Sequence, residues 1–170
     1  MSVKTVYFAP TKRCVNKKWG GAMKTRVRDL LAEKGGDVYF VRPEQTVYEA
    51  IQVLTRHNIG AVLVLDDDDR LVGIFTERDV LKQCVRRSDR LKSTHVKDAM
   101  TTDLIIGVPD DDVDYLMGVM TVNKIRHIPI LEGKRVVGVV SIGDVVKSQL
   151  KDAHYENRYL KDYIMGKYPA

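Results

Sequence analysis

The chain has 170 residues, enough to bury one substantial core or two small subdomains that share one. Hydrophobic residues make up 44% and charged residues 30%, the balance of an ordinary globular protein. No apolar run approaches the roughly 18 residues that a membrane-spanning helix needs, and the two cysteines, Cys14 and Cys84, have no paired spacing that would indicate a disulfide framework or a zinc site.

The net charge of +5 is local in origin. Eight basic and no acidic residues lie between Met1 and Arg28, leaving 20 basic and 23 acidic residues beyond. The body is therefore mildly acidic, and the basic footprint of residues 1–25 supports only weak, salt-sensitive attraction to polyanions. No specific nucleic-acid partner is expected. The arm reads either as a solvated tail or as the remnant of an acid-poor organellar transit peptide. Cysteine usage fits a reducing compartment, so the cytoplasm is expected, with a mitochondrial or other organellar matrix as the alternative.

Beyond the arm, Val38–Val41 reads as a short strand ended by Pro43. Thr46 and Glu49 form a capping box, and Val47, Ala50, Ile51 and Leu54 follow at the spacing of an amphipathic helix. Ala61–Leu65 and Leu71–Phe75 are apolar runs rich in Val, Ile and Leu, suited to strands buried on both faces. They flank the acidic turn Asp66–Asp69, which lacks the alternating ligands and distal Glu of a calcium loop. A helix over Arg78–Val85 and a polar linker over Arg86–Thr94 follow.

The pattern then recurs. Pro43 and Pro109, Val47 and Val113, and Ile59 and Ile125 are each 66 residues apart. After a one-residue loss in the polar turn, Gly73, Thr76 and Asp79 match Gly138, Ser141 and Asp144 at an offset of 65. The opening segments Val27–Leu31 and Val96–Met100 match at 69. The second copy carries the helical stripe Val113, Leu116, Met117 and Met120 with Asp112 as its expected N-cap. The apolar runs Ile128–Leu131 and Val136–Val140 and a helix over Asp144–Leu150 complete it. After Lys151 the chain reads as helical to about Ile164, with Tyr155, Tyr159 and Tyr163 at spacing four. The expected division is an arm at 1–25, repeats at 26–87 and 96–150 joined by a linker at 88–95, and a helix and tail at 151–170.

Gly73-Ile74-Phe75-Thr76-Glu77-Arg78-Asp79 and Gly138-Val139-Val140-Ser141-Ile142-Gly143-Asp144 both follow one pattern: Gly, two apolar residues, Ser/Thr, two residues, Asp. With the strand entries His57–Val62 and Asn123–Pro129, they resemble the CBS-domain family, named for the regulatory region of cystathionine β-synthase. The resemblance covers about residues 27–149 and is closest to small stand-alone CBS-pair proteins, bacterial and plant organellar. It implies an α/β fold of tandem repeats, strand-helix-strand-strand-helix twice, packed with pseudo-twofold symmetry. It also implies two inter-repeat clefts for adenine nucleotides (AMP, ATP or NAD(H)), no required cofactor and no enzymatic activity. One cleft would use Thr76, Arg78 and Asp79 with Met100, Ile125, Arg126 and His127. The other would use Ser141 and Asp144 with Lys34, Tyr39, Ile59, Gly60 and Ala61. The apolar members would sandwich adenine, the Asp would accept from ribose hydroxyls, and Arg126 and His127 would meet phosphate.

A Ser/Thr-x-x-Asp is also a common helix cap, so Thr76 and Ser141 are expected to cap as well. The family commonly forms homodimers, and a homodimer that acts on an unidentified regulated protein is expected here. The alternative is a structural dimerisation adaptor with vestigial clefts. His57, His95, His127 and His154 have no metal-ligand spacing, and the chain has no P-loop, Rossmann fingerprint or nucleophile elbow.

Overall fold

The computed structural model describes residues 25–35 and 37–165. Residues 1–24, and with them Cys14 and most of the basic arm, lie outside the described residues. The first copy contains α1 (Val27–Lys34), β1 (Phe40–Val41), α2 (Val47–His57), β2 (Ala61–Leu65), β3 (Leu71–Thr76) and α3 (Glu77–Arg87). The second contains α4 (Val113–Asn123), β4 (His127–Glu132), β5 (Arg135–Ser141) and α5 (Ile142–Ile164), with a single 3-10 turn at Val96–Asp98 where the first has α1. In the first sheet β1 runs parallel and β3 antiparallel to β2; β4 and β5 form an antiparallel pair.

The expected elements form with local changes. The first strand begins at Phe40 rather than Val38, and its counterpart in the second copy shrinks to one parallel bridge between Gly107 and Ile130. Thr46 and Glu49 form the expected box, with the Thr46 hydroxyl accepting from the Glu49 N–H at 3.2 Å. Asp112 does stand at the N-cap of α4, but its carboxylate makes no cap bond and instead lies 3.5 Å from the Arg26 guanidinium. The helix over Asp144–Leu150 and the helical segment after Lys151 are one uninterrupted helix, because no Gly or Pro falls between Asp144 and Ile164. In the acidic turn, Asp66 Oδ1 accepts the N–H groups of Asp68 and Arg70, and Arg42 pairs with Asp69 at 2.7 Å.

The two copies exchange their opening segments. Val27 and Leu30 of α1 are buried with Val113, Leu116, Met120, Ile128, Ile130 and Val140 of the second copy. Val96, from the start of the second copy, is buried with Val41, Val47, Leu54, Val62 and Phe75 of the first. The same three backbone hydrogen bonds secure each exchange. Val27, Arg28 and Val113 donate to Asp111, Pro109 and Thr25; Val96, Lys97 and Val47 donate to Gln45, Pro43 and Thr94. A third cluster (Leu63, Leu65, Ile74 and Leu104, with Val136 and Val139 against it) joins the two sheets.

The exchange explains the motif glycines. A Cβ on Gly73 would collide with Met100 Sδ, and one on Gly138 would lie 2.6 Å from Leu31 Cδ2. Each glycine leaves room for the side chain of the segment that the other copy inserts. Beyond that contact the segments diverge. Leu31-Ala32-Glu33-Lys34 are strong helix formers and extend α1, whereas Thr101 pairs with Ile74 through two backbone bonds of 3.0 and 2.9 Å.

Gly138→Ala should therefore cost about 1–3 kcal/mol, as overpacking of a fitted contact does. Urea denaturation of Gly138→Ala, Leu31→Ala and the double variant checks this. The glycine substitution should cost clearly less once Leu31 is truncated; additive costs would contradict the contact.

Candidate functional site

Each copy passes from its last strand into its last helix through the same hydrogen-bonded box. In the first, Asp79 Oδ2 accepts the Thr76 N–H at 3.1 Å and the Thr76 hydroxyl at 2.8 Å. In the second, Asp144 Oδ2 accepts the Ser141 N–H at 2.8 Å and its hydroxyl at 2.7 Å, and the Asp144 N–H donates back to Ser141 Oγ at 3.2 Å. The aspartate half of a capping box thus forms in both copies, and its reciprocal half, the hydroxyl accepting the Asp N–H, forms at Ser141. Each aspartate also holds a lysine, but not the equivalent one. Asp79, only 3% exposed, takes Lys82 from the next turn of its own helix at 2.8 Å. Asp144 takes Lys34 from the exchanged α1 at 2.7 Å, and the same ammonium donates to the Val139 carbonyl at 3.0 Å.

A cavity of about 180 Å³ opens beside Asp79. It brings together Thr76, Arg78 and Asp79 from the first copy with Ile125, Arg126 and His127 from the second, six of the seven residues expected there. Met100 is the exception: it packs into the first core beside Gly73, and its neighbour Thr101 forms the cavity wall instead. Arg78 reaches across the copies to donate to the Lys124 carbonyl at 3.2 Å. Lys124 itself is left-handed, at φ 54, like Asn58 at φ 51 in the first copy. For a lysine that conformation costs about 1–2 kcal/mol.

The second expected set is not assembled as one cleft. Ser141, Asp144 and Lys34 converge, but the cavity beside Asp144, about 230 Å³, opens toward α1 and α5, between Leu30, Glu33, Lys147 and Ser148. Tyr39 lies on the His57 ring at a centroid distance of 4.0 Å, Ile59 packs on the first core, and Ala61 joins the cluster between the sheets. Gly60 lines the Asp79 cavity instead. The reason is His127, whose ring carbon Cε1 would lie 3.0 Å from a Cβ on Gly60. The imidazole takes up the space between the two strand entries, and Lys34 pairs with Asp144 through Oδ2, the oxygen that Ser141 also uses.

A larger cavity, about 460 Å³, lies elsewhere, between residues 105–108 and the outer side of α4. In the first copy Tyr39 and His57 stack at the equivalent place. In the second, Ile105 and Asn123 stand there and leave it open.

The sequence pattern of the CBS domain matches residues 27–86 and 96–151. The chain belongs to the CBS-domain family. Among its CBS relatives, the mitochondrial CBS domain-containing protein CBSX3 of Arabidopsis thaliana is 38% identical over 156 residues, covering 87% of this chain and 76% of the relative. The crystal structure of the CBS-domain protein ATU1752 of Agrobacterium tumefaciens aligns with a TM-score of 0.71 at 42% identity, over 74% of this chain and 99% of that one. The CBS pair of protein MJ0100, solved in complex with 5′-methylthioadenosine and S-adenosyl-L-methionine, aligns with a TM-score of 0.65 at 26% identity, over 73% and 94% of the two chains.

The CBS motif residues account for only part of the Asp79 cavity. Glu77, Lys82, Thr101 and Lys124 also line it. Lys82 had a visible signal, since Lys147 repeats it three residues after Asp144. Thr101 and Lys124 had none, because they arrive through the exchanged segment and a left-handed cap.

His127 lies among charged groups of both strand-to-helix junctions. Burial lowers its pKa, Glu77 opposes that shift, and Lys34 and Arg126 add to it while Asp144 opposes. Burial would raise the Asp144 carboxyl, but the hydrogen bonds from Lys34 and from the Ser141 hydroxyl and N–H outweigh it and hold the pKa below the ordinary value. The fold thus favours neutral His127, while the unfolded chain binds a proton below the ordinary value of 6.5. In that window the unfolded state carries more protons, so stability rises with pH and falls on acidification. Asp144 contributes its stability in full above the ordinary value of 3.8 and loses it as pH falls from there through its lowered pKa. Thermal unfolding from about pH 7.5 to about pH 5.5 should show a falling midpoint, with a shallower slope in His127→Gln. An unchanged slope in that variant would contradict a buried neutral imidazole.

Proposed function

We propose that this CBS pair is a regulatory or sensing module that holds an adenine nucleotide beside Asp79 and performs no chemistry on it. The observation that carries this reading is the cavity shared by the copies. It combines a helix N-terminus, a capped carboxylate and two guanidinium groups, Arg78 and Arg126, with the apolar side chains of Ile74 and Ile125. Apolar walls suit adenine, a carboxylate suits ribose hydroxyls, and guanidinium groups suit phosphate. AMP, ATP and NAD(H) share these three parts. The adenosine-containing ligands in the MJ0100 structure support the class. Binding beside Asp144 requires displacement of Lys34 and is therefore the weaker site. We infer a cytoplasmic location, with a mitochondrial or other organellar matrix as the alternative, and the mitochondrial name of CBSX3 supports that alternative.

Titration calorimetry with AMP and adenosine tests the assignment. A charge-assisted bond contributes roughly 1.5–3 kcal/mol, so Arg126→Ala should weaken AMP binding by about tenfold to a hundredfold and adenosine binding little. Asp144→Ala should leave this site intact, and ligand recovered after incubation should be unchanged. If Arg126→Ala leaves AMP affinity untouched, the cavity is not the phosphate site.

A second reading, a dimerisation adaptor with vestigial clefts, is favoured by the lysines that already occupy Asp79 and Asp144. Under that reading calorimetry detects no adenine nucleotide at all.

Both readings include a homodimer. The outer helix faces expose Leu81, Val85, Val122 and Leu150, apolar side chains that a second copy would cover. Light scattering should give twice the 19.3 kDa of one chain; a single-chain mass would contradict the dimer.

A further inference from the structure

We propose that α5 carries the self-association of this protein as a short parallel coiled coil with a second copy of the chain, set in register by Asn157. The inference deepens the homodimer of the reading above and is independent of nucleotide binding.

The helix is 23 residues long, or about 35 Å at 1.5 Å per residue. Its first turns are committed to the body. Val145 is fully buried, Gln149 donates to Asp114 at the start of α4, and Lys151 pairs with Glu33 of α1. One residue further on in each turn, about 100° round the helix, a different row of positions begins. It runs Val146, Leu150, Ala153, Asn157, Leu160, Ile164, with alternating spacings of four and three. That alternation of four and three fits the a/d seam of a left-handed coiled coil. Three of the seam positions flank it in solvent: Val146 is 48% exposed, Leu150 58% and Ile164 82%.

Three features select a second copy, in parallel, as the occupant. First, Leu150, Asn157 and Ile164 fall at a positions and Val146, Ala153 and Leu160 at d. An isolated Asn at a is disfavoured against an apolar partner but bonds to another Asn, which specifies a parallel, in-register dimer at a cost in stability. Second, position 156 is Glu at g and position 161 is Lys at the following e. In a parallel pair these positions face each other across the seam, twice by symmetry, so the charges are complementary only between two copies of this helix. Third, α5 packs on a helix that carries exposed apolar side chains of its own. Gln149 holds α5 against α4, whose Tyr115 and Val122 are 46% and 80% exposed. A helix of fewer than three heptads is marginal alone, and that adjoining face supplies the remaining contact.

The test uses the full chain with Cys14 and Cys84 changed to Ser, so that one introduced thiol reports on geometry. Asn157→Cys should form a covalent dimer under mild oxidation about tenfold faster than Arg158→Cys, because a-to-a′ spacing suits a disulfide and outward b positions do not. Leu150→Glu with Ile164→Glu should give a single-chain mass by light scattering while circular dichroism keeps the folded spectrum. If the protein is a dimer but the Asn157→Cys variant links no faster than the Arg158→Cys variant, the dimer uses another face and the coil is overturned while the dimer stands. A single-chain mass for the unmodified chain overturns both.

Discussion

Neither copy of the repeat can close its own core. Val27 and Val96 are both fully buried, each inside the other copy, and each is held by the same three backbone hydrogen bonds. This reciprocal insertion is the constraint on which the rest of the molecule depends. It ties residues 25–34 to the second sheet and residues 94–101 to the first, so the two copies are one cooperative unit even though they are consecutive in sequence. It also requires Gly73 and Gly138, since any side chain there would displace the inserted Met100 or Leu31.

The functional geometry follows from that insertion. The inserted segments run beside the strand-to-helix junctions, so whatever follows Val27 or Val96 becomes part of the neighbouring site. In the first copy the inserted segment is extended, and Thr101 satisfies the Ile74 carbonyl through its backbone. In the second it is helical, and Lys34 satisfies the equivalent Val139 carbonyl through its ammonium, reaching Asp144 as well. A difference in helix propensity between Ala-Glu-Lys and Thr-Thr thus makes one carboxylate site open to a cavity and the other pre-filled. His127 adds to the inequality. It lies against Gly60 and takes the space that a second, symmetric cleft would need.

Both aspartates show that capping and ligand recognition draw on the same atoms. The Ser/Thr-x-x-Asp box fixes the carboxylate by two bonds from the residue that ends the strand. A carboxylate fixed in this way loses little further ordering entropy when it accepts a hydroxyl group. The lysine on each carboxylate, Lys82 on Asp79 Oδ1 and Lys34 on the already bonded Asp144 Oδ2, is then a competitor that any ligand has to match.

Much of this was legible in the residues alone. The offsets of 66, 65 and 69 correspond to the duplicated strands, helices and inserted segments, because core positions and turn glycines are read directly from periodicity. Two sets of site residues followed from the motifs, and the Thr76/Asp79 set assembled apart from Met100. What periodicity does not encode is which copy a segment packs on, because that is decided by contacts between residues far apart in the chain. That choice, made in three dimensions, brought Thr101 into the site and put Lys34 on Asp144, while the His127 ring against Gly60 and the left-handed Lys124 completed the cavity. Sequence determined the repeat, the caps and the chemistry of the junctions; only the tertiary exchange decided which junctions became cavities, because that depends on contacts between residues far apart in the chain, Lys34 and Asp144 among them.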